Sequence, residues 1–233
     1  MFKKIILTTS LCLSVLQSVE AKPSSNFYAG AAAGYVYLTP YGSATETSGE
    51  PGSVTRSINL NKRASGIEGK IFGGYDSKDI CCSGLSLGGD AFVSVNNAHS
   101  RKVLSITGSD KRTNIISQRY TVGAYFNAGG NLTKTVSLYG KLGVVNSRFV
   151  VKHQTTASSG YGAKAQEHNL WGISPGFEVR KDLSNLWRLN FEGTFTWYQS
   201  WKSKDFDPSS PGSAFTNIRP RVLSLSVGIA RKF

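Results

Sequence analysis

Leu223-Ser224-Leu225-Ser226-Val227-Gly228-Ile229-Ala230-Arg231-Lys232-Phe233 ends the sequence and decides how the rest of it is read. Leu223, Leu225, Val227 and Ile229 share one parity, while Ser224, Ser226, Gly228 and Ala230 share the other. Side chains of a β-strand point alternately to opposite faces, so this stretch has one oily face and one small or polar face. A half-buried strand of a water-soluble protein fits that description, and so does a strand with lipid on one side. The company it keeps separates the two.

Seven more stretches alternate in the same way, at about 27–38, 64–75, 84–96, 115–127, 135–148, 169–180 and 187–198. In the second, Ile67, Ile71 and Tyr75 oppose Glu68 and Lys70. In the seventh, Leu189, Phe191, Phe195 and Trp197 oppose Arg188, Asn190, Glu192 and Thr194. Pro175 lacks a ladder donor, and a local bulge is expected there. The connections at 76–83, 128–134 and 181–186 are short, whereas those at about 39–63, 97–114, 149–168 and 199–217 are long and polar. Long loops at one end and short turns at the other suit a barrel that crosses a membrane.

The charges decide which face is outside. Glu68, Lys70, Asp90, Arg119, Lys141, Glu178, Arg188 and Glu192 all take the parity of the Gly, Ser and Thr residues. The opposite parity is almost free of charge and is edged by Tyr35, Tyr37, Tyr75, Tyr120, Phe126, Trp171 and Trp197. In water such a belt would drive aggregation; in lipid it is the solvent-facing surface, and its aromatics form interfacial girdles. The expected fold is therefore all-β: an eight-stranded antiparallel up-and-down transmembrane β-barrel with four long external loops and short periplasmic turns. Closure is required because an open edge in lipid would leave backbone groups unpaired. The eight charged residues are expected to interleave as a lumen network that plugs the barrel, since buried charges need partners.

The amino terminus agrees. Lys3 and Lys4 precede an apolar stretch from Ile5 to about Val19, and Val19-Glu20-Ala21 offers a cleavage site, so 1–21 reads as a signal peptide and 22–233 as the barrel domain. No other segment approaches the roughly 20 apolar residues of a spanning helix. Cys81 and Cys82 are adjacent and read as two incidental thiols in a turn; no metal-ligand spacing is present. No cofactor is expected.

Asn26-Phe27-Tyr28-Ala29-Gly30-Ala31-Ala32-Ala33-Gly34-Tyr35 resembles the opening strand of the small OmpA-type and opacity-type outer-membrane β-barrel proteins. Leu223 to Phe233 resembles their carboxy-terminal assembly signal. The resemblance implies a place in the outer membrane of a Gram-negative bacterium. It also implies insertion by the outer-membrane assembly machinery, with Leu225, Val227, Ile229 and Phe233 as the recognition element. Arg231 departs from the pattern by taking an outward position often held by an aromatic, where a snorkelling Arg is tolerable. With the barrel strand as the last element, no trailing peptidoglycan-binding domain is expected.

Net charge is +13, from 27 Lys and Arg against 14 Asp and Glu. In the loops Arg101, Lys102, Lys111 and Arg112 are candidate contacts for lipid phosphates, with Lys152 and Lys164 adding to the charge, so membrane lipids and lipopolysaccharide are the expected partners. The same loops could take a host or surface ligand, with Trp201 and Phe206 as its anchor or as a packed loop core. Nucleic acid is not expected, since the basic residues lack interleaved aromatics. A rival reading, a lipid-modifying enzyme, would draw a serine triad from His99, His153 or His168. Another rival is transport of a small hydrophobic or ionic solute through the barrel; for a hydrophobic molecule it would need a loose, apolar upper lumen rather than a charged one. The leading reading is a non-enzymatic surface protein serving envelope integrity, adhesion or surface interaction.

Overall fold

In a computed structural model of the protein, the described residues are 26–47, 55–59, 61–77, 85–107, 110–157, 160–206 and 213–233. The leader at 1–21 and the turn holding Cys81 and Cys82 lie outside them. The strands are β1 (Phe27–Thr47), β2 (Thr55–Asn59), β3 (Ala64–Ser77), β4 (Leu85–Asn96), β5 (His99–Thr107) and β6 (Asp110–Asn131). They continue with β7 (Val136–Ala157), β8 (Gly160–Asp182), β9 (Trp187–Tyr198), β10 (Trp201–Phe206) and β11 (Ser213–Lys232).

Eight of them form the wall, each antiparallel to its neighbours, in the order β1, β3, β4, β6, β7, β8, β9, β11. The ring closes where β11 returns to β1, in register from Tyr28↔Lys232 to Glu46↔Ala214. Asn26 and Phe233 both sit at the short-turn end: Phe233 N donates to Phe27 O at 3.0 Å, and Asp76 N to Asn26 O at 3.0 Å. The eight-stranded barrel and its two unlike ends are those the alternation predicts.

The long connections differ from the expectation in one respect. They are largely strand: β6 with β7 and β7 with β8 run on as hairpins paired to Lys111↔Thr156 and Ala157↔Gly160. β2, β5 and β10 add short strands to β1, β6 and β11. Hydrophobic alternation fades there because the outward side chains leave lipid, whereas backbone pairing between neighbouring strands needs no lipid to persist. Pro175 also behaves differently from the expectation. The β8–β9 register is the same at Ile173↔Trp197 and at Gly176↔Thr194, so there is no bulge. The imino ring costs ladder pairs at that point without inserting a residue. A bulge is found on β6 instead, between Gln118 and Thr121, where the pairing to β7 slips by one.

Burial follows parity. Ile71, Val93, Leu142, Val144, Ile173 and Val227 are 46–60% exposed at strand centres. Their inward neighbours Lys70, Ser94, Lys141, Val145, Ser174 and Ser226 are at most 8% exposed. Phe27 and Tyr75, ring centroids 5.0 Å apart, edge the belt at the short-turn end, and Tyr35 and Tyr37, 4.9 Å apart, edge it at the other. Arg231 lies with its guanidinium 5.8 Å from the Phe233 ring. Val227→Arg, a charge set in the middle of this belt, is expected to cost about 2–4 kcal/mol in reversible unfolding in lipid. Asn217→Arg, on the same face beyond the belt, should change stability by less than about 0.5 kcal/mol.

Candidate functional site

The lower half of the lumen is an ion network built from inward positions of six strands. Lys141 on β7 donates to Glu192 Oε2 on β9 at 2.6 Å, and stands 3.1 Å from Asp90 Oδ2 on β4 and 3.2 Å from Glu178 Oε2 on β8. Lys70 on β3 meets the other oxygen of Glu192 at 2.5 Å. Asn127 donates to Asp90 at 2.7 Å, and Ser224 Oγ to Glu68 Oε2 at 2.5 Å. Aromatic faces complete the shell: Lys141 lies 4.6 Å from the Tyr125 centroid and Lys70 5.1 Å from Phe92. Tyr125 itself lies flat against Gly143, where a Cβ would come within 2.3 Å of the ring, so only glycine leaves it room.

Nearer the short-turn end stands a group that the sequence reading does not assign. Arg180, 1% exposed, donates from Nη1 to both oxygens of Asp76 at 2.8 Å and from Nη2 to Glu178 at 3.0 Å and Tyr28 OH at 3.1 Å. Its guanidinium stacks 4.1 Å from the Tyr139 ring. Arg188 joins from β9, at 2.8 Å from Asp76 and 3.1 Å from Asp182, and Lys232 closes on Asp182 at 3.0 Å. Parity was the available signal: Arg180 shares it with Glu178, and Asp76 shares it with Lys70. Ending the strand at Tyr75 hid the partner.

Arg119 is corrected: it is exposed on the outside of the wall. The β6 bulge absorbs one residue, so Gln118 and Thr121 both point inward and Arg119 is turned out. Gln118 Nε2 donates to Thr121 at 3.0 Å, Ser147 at 3.1 Å and Tyr198 OH at 3.3 Å, a polar layer above the ions. Beyond that layer the interior holds an apolar cluster, with Ser100, Thr113, Asn114 and His153 buried in the extension as well. Val36, Leu38, Phe149, Val151, Leu170, Trp201 and Ile218 pack together there, each at most 6% exposed. A space of about 20 Å³ lies between the ions and the polar layer and another of about 10 Å³ lies among the ions, both water-sized.

Outside, cations follow the girdle at the long-connection end. Arg63, Arg101, Arg119, Lys202 and Arg219 are exposed there, and Arg221 lies 4.2 Å from the Tyr41 ring. Arg148 pairs with Glu167. Lys102 is half-buried and donates to Asn59 O. The side chains of Lys111, Arg112, Lys164 and Phe206 lie outside the described residues, and Trp201 is buried in the apolar layer. The three histidines are dispersed. His99 Nδ1 faces Asn97 O at 3.1 Å, His153 Nδ1 faces Asn114 Oδ1 at 2.6 Å inside the extension, and His168 stacks 4.6 Å from Trp201. Leu225, Val227 and Ile229 face outward, 38–50% exposed.

Three solved structures are similar. OprG of Pseudomonas aeruginosa is 11% identical, with 91% of this chain and 99% of that one covered, at a TM-score of 0.46. Neisserial surface protein A is 18% identical, with 90% and 98% covered, at 0.41. Ail, the attachment invasion locus protein of Yersinia pestis, solved in complex with the heparin analogue sucrose octasulfate, is 12% identical, with 89% and 99% covered, at 0.37. No curated protein matches the chain. Residues 5–230 match the family described as outer membrane protein beta-barrel domain. With that match laid over a closed eight-stranded wall and its lipid-facing belt, the chain belongs to the outer membrane β-barrel family and resides in the cell outer membrane.

Proposed function

We propose that the protein is a non-enzymatic surface protein. Its barrel is a sealed anchor, and its outer extension serves envelope integrity, adhesion or surface interaction. The observation that carries this reading is the filled lumen. Among the described residues, ions, a polar layer and an apolar cluster follow one another along the axis, and the spaces at the ions are water-sized. A hydrated solute would have to part Lys141 from three carboxylates and then cross packed aliphatic side chains. The leader at 1–21 would deliver the chain to the periplasm. Leu225, Val227, Ile229 and Phe233 would present it to the assembly machinery.

One observation favours the rival of hydrophobic transport: the upper lumen holds an apolar cluster that includes Phe149, Val151 and Ile218. It is also tightly packed, which favours a plug. Around the wall, Arg63, Arg119, Lys202, Arg219 and Arg221 form a cationic collar beyond the girdle, at the height where lipid phosphates would lie.

In planar bilayers the purified protein is expected to give no steady open channel; a sustained conductance step would overturn the sealed-anchor reading. Lys141→Met leaves three buried carboxylates short of a cation and should cost about 3–5 kcal/mol in unfolding experiments. Reversing Arg119, Arg219 and Arg221 together to Glu should lower the lipopolysaccharide that co-purifies with the folded barrel, measured as bound phosphorus per protein.

A further inference from the structure

Beyond the membrane the wall divides in two. β2, β1, β11 and β10 form one four-stranded sheet, and β5, β6, β7 and β8 form the other. Among the described residues, β2 pairs only with β1, β5 only with β6, and β10 only with β11. Two seams therefore run up the outer extension. The β8–β10 seam is bridged at its foot by Gln199 N donating to Trp171 O at 2.9 Å and by the tilted rings of His168 and Trp201, centroids 4.6 Å apart. The β2–β5 seam is stitched at its foot, where Ser100 Oγ donates to Lys62 O at 2.7 Å and Lys102 reaches Asn59 O. Beside these bonds, on the same residues, lies a shallow open groove of about 680 Å³.

The groove is lined by Asn59, Asn61, Lys62, Arg101, Lys102 and Val103. Three of the six are cations and none is a carboxylate. One wall is the edge of β5 at Arg101, Lys102 and Val103, and the other is Asn59, where the β2 edge ends, with Asn61 and Lys62 after it; along an edge every second residue turns its N–H and C=O away from the partner strand. Edge donors and acceptors select an extended backbone, and the cations select a negative one. Lys102 already spends its ammonium on a β2 backbone carbonyl, which is the bond an incoming strand would replace.

We propose that the β2–β5 seam is a docking site for an acidic peptide segment, which inserts as an added strand between the two sheets. An anionic saccharide would meet the same cations but would leave the edge N–H and C=O groups unread. The proposal rests on reading the outer extension as an interaction surface and is independent of whether the lumen conducts, so either can fail alone.

The test uses the full-length barrel in lipopolysaccharide-free nanodiscs and a fluorescent peptide of about ten alternating Glu and Val residues, long enough to cover an edge strand. Saturable binding is expected, weakened about tenfold or more by Arg101→Glu and by Lys62→Glu, the latter lying outside any strand. A peptide of equal charge with proline at alternate positions should bind about tenfold more weakly, because it cannot donate to the ladder. Equal binding by the proline peptide would reduce the site to unspecific charge and overturn the proposal. So would efficient displacement of the peptide by inositol hexakisphosphate, which would mark a saccharide or phosphate site, and so would an absence of saturation. Retained heat-modifiable migration on gels certifies that each variant is folded.

Discussion

A backbone in hydrocarbon finds no water to satisfy its N–H and C=O groups, so the first strand must meet the last. The β1–β11 ladder meets that demand, and the remaining architecture follows from it. Closure with eight strands leaves an interior only wide enough for side chains. It also forces every second residue of every strand into that interior, where the small Gly34, Gly143 and Ser226 alternate with large Tyr125 and Arg180.

Once filled, the lumen sets its own chemistry. Charges at inward positions of separate strands converge on one axis, and Lys141 becomes the hub because three carboxylates reach it from β4, β8 and β9. Ions of opposite sign at that spacing are tolerable only as a satisfied set, which is why Asn127, Ser224 and the rings of Tyr125 and Tyr139 surround them. The network fixes the rotation of the strands about one another as firmly as the ladder fixes their register. Above it, where the strands leave lipid, an apolar cluster and the buried His153–Asn114 pair are held between two sheets.

The wall was legible in the sequence because period-two alternation is a local signal and lipid keeps charge off the outward positions at strand centres. Ile71 against Lys70, or Leu142 against Lys141, states the face assignment within two residues. Arg119 shows where that logic fails. A bulge leaves no mark on composition, and one absorbed residue inverts parity for everything beyond it. The Arg180–Asp76 pair was hidden for a different reason: it joins residues more than a hundred positions apart, and one of them lies past the end of the apolar pattern. The outer strands were unreadable because their faces no longer meet contrasting solvents.

Between Asn59 and Ala64, at Asn97 and Ala98, and at Gln199 and Ser200, the wall strands break beside the girdle before resuming as β2, β5 and β10. With the β6 bulge, these interruptions act as expansion joints. On these four strands a change in length or register above the joint can be taken up locally and is not passed down to residues whose facing lipid depends on an unbroken count, whereas β1, β7, β8 and β11 run through unbroken. The part of the molecule that meets the outside world is thereby free to diverge quickly, while the anchor beneath keeps its sequence grammar.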